Sequence, residues 1–321
     1  MIVEESTYRP PWYLPGPDLQ SIAPQIARNL PSIDYRRERI DTADGDFLDL
    51  DWAEIGADKL MIVVHGMEGH SRRPYMLGMV NAFKRVGWDG LAWNMRGCSE
   101  EPNRKPGFYH AGMTDDLEAV VTRALTNKRY AAIALVGFSL GGNLILKYLG
   151  ERGQHAPIVA SVGFSVPFDL ADCAAQLHRW RNAFYLRRFM RRFRAKVRIK
   201  AALMPEKVSA EGIEDIRDLR DFDARYTVQL HGFASVEEYW RENSCLDFLP
   251  AIAVPSLVVN GLNDPFLGSN CYPVERVRDL PHVFLELPHE GGHVGFPIAG
   301  GMCWSEARAV EFVAGHIDRL Q

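Results

Sequence analysis

The chain has no run of about eighteen consecutive apolar residues, so no membrane-spanning helix is expected. Cysteine is sparse. The five residues at 98, 173, 245, 271 and 303 are odd in number and lack C-x-x-C spacing, which excludes a disulfide framework and points to a reduced environment. No charge of one sign dominates: 37 Lys and Arg against 41 Asp and Glu leave a net charge of −4, which gives no general case for nucleic acid as a partner. The opening MIVEESTYRPPWYLPG lacks an apolar core of the kind a signal peptide needs, and a cytoplasmic location is expected. There is no internal repeat and no low-complexity tract. What is present is apolar mass, with 47% hydrophobic and 11% aromatic residues over 321 positions. That suits one large α/β domain, or a core carrying an insertion.

Residues 8–31 hold prolines at 10, 11, 15, 17, 24 and 31 and read as an extended arm wrapped over the domain. Residues 35–53 alternate through Asp44-Gly45-Asp46, which predicts a hairpin. Strands and helices then take turns. Strands are expected at Leu60–Val64, Gly90–Asn94, Ala131–Val136, Ile158–Phe164, Ser256–Asn260 and Val283–Leu287. Helices are expected at Tyr75–Val86, at Thr114–Thr126 with Thr114 as N-cap, and at Ser305–Leu320. This alternation predicts a mainly parallel sheet with helices on both faces. It breaks between 167 and 250, a polar, helical stretch without a strand run, which reads as a cap inserted between core segments 1–166 and 251–321.

The stretch AAIALVGFSLGGN carries the chemistry. An apolar run ends in Gly137-Phe138-Ser139-Leu140-Gly141 and a helical pattern follows, so G-x-S-x-G falls on a strand, a sharp turn and a helix. The glycines let strand and helix close around a serine held in a strained turn. A serine hydroxyl attacks only when a base takes its proton and a third group orients the base. In this architecture the chain order is serine, acid, histidine. His293, in EGGHVGF after the last core strand, is the expected base, placed in a flexible glycine loop; His289 lies too near the strand end. Asp264, in the turn GLNDP after Ser256–Asn260, is the expected acid, with Asp169 of SVPFD as its rival. Two backbone donors should bind an oxyanion: the N–H of Leu140, and that of Met67 in the loop His65-Gly66-Met67-Glu68-Gly69. His65 itself reads as a structural loop residue.

His289-Glu290-Gly291-Gly292-His293 matches H-E-x-x-H letter for letter. A zinc site of that type needs both histidines on one helix face, and two glycines after a proline oppose a helix by roughly 2 kcal/mol. No metal is expected there. In the cap, residues 179–200 carry ten arginines and lysines, with Trp180, Phe184, Phe189, Phe193 and Val197 near helical spacing. This reads as an amphipathic helix with aromatic and basic residues on opposite sides and a solvated basic face, or as a weak peripheral contact for anionic membrane lipid.

With these residues assembled, the chain resembles the YheT-like branch of the α/β-hydrolases, which includes mammalian ABHD1/ABHD3-type lipases and yeast medium-chain acyl ester synthases. The resemblance rests on HGMEGHSRRPY, WNMRGCSE, YHAGMTDDL, GFSLGGNLILKYLGE, FDARYTVQLHGFASVEEYW, CLDFLPAIAVPSLVVNGLNDPF and EGGHVGF. It implies the α/β-hydrolase fold, with Ser139, Asp264 and His293 as triad, carboxylic-ester hydrolysis, lipid or medium-chain acyl substrates, and no cofactor. Residues and resemblance together lead to the expectation of a serine carboxylesterase acting on short- to medium-chain acyl or lipid esters. The alternatives are acyl transfer to an alcohol, and a non-catalytic ligand-binding protein of the same fold.

Overall fold

A computed structural model of the chain describes residues 1–126, 129–301 and 303–317. Its strands are β1 (Ile2–Val3), β2 (Arg36–Asp41), β3 (Phe47–Ala53), β4 (Lys59–Val64), β5 (Asp89–Asn94), β6 (Ala132–Phe138), β7 (Ala160–Phe164), β8 (Ser256–Val259) and β9 (Val283–Glu286). They form one sheet in the order β1-β9-β8-β7-β6-β4-β5-β3-β2. All neighbours from β1 to β5 in that order pair in parallel; β3 and β2 run antiparallel at the far edge. The central strands β4 and β6 are near-continuous apolar runs because both sheet faces are covered. Alternate residues go to opposite sides: Leu60, Ile62 and Val64 join one core cluster, Met61 and Val63 the other.

The helices are α1 (Pro17–Ile26), α2 (Pro74–Arg85), α3 (Thr114–Thr126), α4 (Leu140–Arg152), α5 (Leu170–His178), α6 (Ala183–Leu203), α7 (Leu219–Phe222), α8 (Val228–His231), α9 (Val236–Asn243), α10 (Val274–Val277) and α11 (Trp304–Ile317). Helices α3 and α4 cover one face of the sheet, with Leu117, Val121, Leu144 and Ile145 in the first cluster. Helices α2 and α11 cover the other, through Met79, Phe83, Phe312 and Val313. The α/β fold with helices on both faces is thus as the sequence predicts. Thr114 is the first residue of α3 instead of its cap. The last helix spans 304–317; the remainder of its expected range, 318–320, lies outside the described residues.

One expectation fails at the N-terminus. Residues 8–31 are not extended throughout, because α1 forms within them: Pro17 occupies its first turn, where a missing N–H costs nothing, and Pro24 is accommodated inside. Residues 2–3 add an edge strand beside β9 that was not foreseen.

Between β7 and β8 the chain is helical, from α5 to α9, with a π-helical stretch Asp223–Thr227 joining α7 to α8. Met190, Phe193 and Val197 of α6 and Phe222 and Tyr226 pack on Phe108, with Met67 against them, so the insertion sits on the core above the loop after β4.

Candidate active site

Strand β6 ends and α4 begins within one residue, and the residue between them is Ser139. Its backbone lies at φ 53° and ψ −120°, a region an L-residue occupies at a cost of about 1–3 kcal/mol. The strain is enforced by packing. A Cβ on Gly137 would lie 2.5 Å from the Gly141 carbonyl oxygen, and one on Gly141 would strike the Val64 carbonyl. Only glycine permits β6, β4 and α4 to meet this closely, and the turn lifts the Ser139 hydroxyl off the sheet.

His293 Nε2 lies 3.0 Å from Ser139 Oγ, and its Nδ1 lies 2.9 Å from Asp264 Oδ2 and 3.1 Å from Oδ1. An ionised carboxylate only accepts, so Nδ1 carries the proton and donates it to Asp264, leaving Nε2 to accept from Ser139. Asp264 is 5% exposed and also accepts from the Phe266 N–H at 2.9 Å. The Phe266 ring lies over His293, centroids 4.3 Å apart. The three residues expected from chain order are therefore brought into one hydrogen-bonded chain. The rival Asp169 is elsewhere: its carboxylate caps α5 through the Asp172 N–H at 3.0 Å and holds Asn270 at 2.9 Å. His289 is exposed, and residues 287–296 form no helix, so the two histidines of H-E-x-x-H do not share a helix face.

The sequence reading expects a flexible glycine loop around His293, and the structure shows that loop tied down by hydrogen bonds. Helix α1 holds it. The Ser21 hydroxyl accepts from the His293 N–H at 2.7 Å, and Gln20 Oε1 accepts from Gly291 N–H at 3.0 Å and from Asn263 Nδ2 at 2.9 Å. Gln20 Nε2 donates to the Leu14 carbonyl at 3.1 Å and to Glu290. The glycines serve close approach: a Cβ on Gly292 would lie 2.7 Å from the Pro17 carbonyl oxygen, and one on Gly295 would collide with that of Gln20. No sequence signal pointed to Gln20 or Ser21. Gln20→Ala should lower stability by about 2–3 kcal/mol, since burial leaves its partners unpaired, and should lower kcat about tenfold as the His293 loop loosens. Calorimetry and kinetics on the variant check this; an unchanged Tm with an unchanged rate contradicts it.

The loop after β4 abuts the serine, as a Cβ on Gly66 would lie 3.1 Å from Ser139 Cβ. Among the described residues the Met67 N–H has no hydrogen-bond partner, and the Leu140 N–H opens α4, where no intrahelical acceptor exists. Both residues line the same cavity as Ser139 and His293. His65 is wholly buried, with Nδ1 2.7 Å from the Gly66 carbonyl oxygen and Nε2 accepting from Met95 N–H at 3.1 Å. Burial, the dominant cause, pushes its pKa down to about 3, so it stays neutral and shapes the loop. Asn143, also unforeseen, ties α4 to the cap: Oδ1 accepts from Cys245 N–H at 2.9 Å and Nδ2 donates to the Asn243 carbonyl at 2.8 Å.

The cavity above Ser139 measures about 290 Å³, and its walls are mostly apolar, with Phe108, Leu170, Leu177, Phe222 and Trp240 among them. The basic segment of the cap departs from expectation. Trp180 lies in a 3₁₀ turn ahead of α6 and is 90% exposed, Phe184 is 65% exposed, and Phe193 and Val197 are buried. The basic residues do not form one solvated face: Arg192 and Lys196 are half-buried and line the cavity, Arg188 joins that lining while still exposed to solvent, and Arg187 and Arg191 are exposed and outside the lining.

A serine in a strained strand-to-helix turn at the carboxyl edge of a parallel sheet, hydrogen-bonded to a histidine that in turn meets a buried carboxylate under a helical cap, is the arrangement of an α/β-hydrolase. The chain matches the profile of the α/β hydrolase fold family over residues 59–298 and belongs to that family. It is 32% identical over 311 residues to the putative esterase YheT of Escherichia coli (strain K12), covering 94% of this chain and 91% of that protein. It is 28% identical over 305 residues to phospholipase ABHD3 of Mus musculus, covering 92% of this chain and 74% of that protein. Among solved structures, the esterase Pf2001 of Pyrococcus furiosus shares the fold with a TM-score of 0.59 at 19% identity, covering 90% of this chain and 98% of that one. The protein is a hydrolase of the esterase and lipase type. Among the described residues no helix is long and apolar enough to cross a membrane.

Proposed function

We propose that the protein is a serine carboxylesterase that cleaves short- to medium-chain acyl esters, lipids among them, through an acyl-enzyme. Ser139 attacks the ester carbonyl while His293 Nε2 takes its proton and passes it to the leaving alcohol. Asp264 holds the imidazole in the tautomer that accepts from Ser139 and stabilises the imidazolium. The Met67 and Leu140 N–H groups bind the oxyanion, aided by the positive end of α4. A water activated by His293 then releases the acid. No step requires a cofactor.

The observation that carries this reading is the unbroken Ser139–His293–Asp264 hydrogen-bond chain opening into an apolar cavity. A turnover screen over p-nitrophenyl esters from acetate to palmitate tests it. Multiple turnover with a maximum among the short and medium chains is expected. Binding without turnover across the whole series would leave a ligand-binding protein of the same fold.

Peripheral contact with anionic lipid belongs to the same proposal, supported by the exposed Trp180 and Phe184 beside Arg181, Arg187 and Arg191. Each basic side chain near a charged surface adds about 1 kcal/mol, screened within a Debye length. Co-sedimentation with anionic vesicles at low salt, lost at high salt and absent with neutral vesicles, is the expected result. Equal sedimentation with both kinds of vesicle contradicts it.

A further inference from the structure

Among the described residues, three arginines that line the cavity have no carboxylate at ion-pair distance, although the Glu68 carboxylate acts on Arg73 from further away. Arg188 and Arg192 are one helical turn apart on α6 and line the cavity together. Arg73, from the loop before α2, approaches from the core side. Arg73 Nη2 and Arg192 Nη1 both donate to one neutral acceptor, the Glu68 carbonyl oxygen, at 3.1 and 2.7 Å. Two guanidinium groups thus converge on one atom, each with most of its five N–H donors uncommitted among the described residues.

The nearby acids are already engaged. The Glu68 carboxylate pairs with Lys196 at 2.7 Å and accepts from the Tyr109 hydroxyl at 3.0 Å. Asp223 accepts from Thr227 at 2.6 Å and from Trp240 Nε1 at 2.9 Å. Among the described residues no carboxylate reaches ion-pair distance of Arg73, Arg188 or Arg192. The repulsion shows at Arg73 and Arg188. Burial first, and then Arg192, lowers the pKa of both Arg73 and Arg188. Burial, then Arg73 and Arg192, pushes His70 down to about 4, so it adds no charge at neutral pH.

We propose that Arg73, Arg188 and Arg192 form an anion subsite inside the cavity, which takes the phosphate or carboxylate of an ester whose acyl chain packs on the apolar walls. Planar guanidinium forks match the oxygens of either group, and a partly desolvated site strengthens each charge-assisted bond. The same face of the cap helix then selects substrates: neutral esters leave the three charges uncompensated, and anionic ones neutralise them. The inference rests on the esterase reading for the identity of its ligand, though binding of an anion can be measured without turnover.

The test uses octanoyl ligands below their aggregation concentration, so that no lipid surface takes part. The full chain is assayed on 1-octanoylglycerol 3-phosphate and on 1-octanoylglycerol. The phosphate ester is expected to show at least a tenfold higher kcat/KM, and this ratio should fall about tenfold in Arg188→Gln and in Arg192→Gln, with Arg188→Lys keeping part of it. Binding of octyl phosphate and of inorganic phosphate to Ser139→Ala is measured in parallel by calorimetry. Octyl phosphate should bind the more tightly, and adding Arg188→Gln should weaken it about tenfold. A ratio near one in the wild type, or variants that lose both esters equally, would overturn the subsite and leave the arginines as supports of the Glu68 loop. Inorganic phosphate binding as tightly as octyl phosphate would also overturn it, since the apolar walls would then play no part. If neither ester turns over while octyl phosphate still binds in an arginine-dependent way, the esterase reading fails and the subsite stands.

Discussion

Ser139→Ala is expected to abolish ester turnover. Loss of the nucleophile from a hydrogen-bonded triad lowers kcat by up to ~10⁶, leaving only the contribution of oxyanion donors and binding. The fold should persist, because alanine meets the same backbone strain as serine at φ 53° and the Ser139 N–H still donates to the Phe164 carbonyl at 2.8 Å. Only the hydroxyl 3.0 Å from His293 Nε2 is removed. A fluorophosphonate should therefore label the wild type at one residue, and the alanine variant at none, with little change in Tm. Labelling at another residue, or activity surviving in the variant, contradicts the proposed nucleophile.

Asp264→Asn should lower kcat by as much as ~10⁴ with the structure retained. The amide keeps an oxygen for the Phe266 N–H but presents its NH₂ to His293 Nδ1. The imidazole then moves its proton to Nε2, where it faces Ser139 and can no longer accept. Asp169→Asn should change kcat far less, since that carboxylate caps α5 and holds Asn270 instead of touching His293. Measuring kcat for both variants on one ester checks the pair, and the reverse ranking would move the acid to the earlier strand.

The elbow was legible because its causes are local. An apolar run, two glycines and a helical pattern sit within about a dozen residues, and sterics within that window force Ser139 into its turn. Asp264 and His293 were legible because a parallel sheet presents the carboxyl ends of β8 and β9 at one edge, so chain order alone narrows the choice. Helix α1 was not. Proline suppresses a helix interior but suits its first turn, and proline count does not distinguish the two uses.

The chain by itself therefore determined the mainly parallel character of the sheet, the serine turn and the order of the three residues in the hydrogen-bonded chain, because each follows from short-range periodicity and backbone sterics. The tertiary structure alone decided two things. It showed that Gly292 and Gly295 are glycine because α1 backbone presses against them, a meaning that the same letter in a mobile loop would hide. It also showed that Arg188, though exposed to solvent, and Arg192 line the cavity with Arg73, while Arg187 and Arg191 lie outside that lining. Helical spacing groups residues on a face, but what that face meets depends on packing against segments more than a hundred residues away, which no local pattern contains.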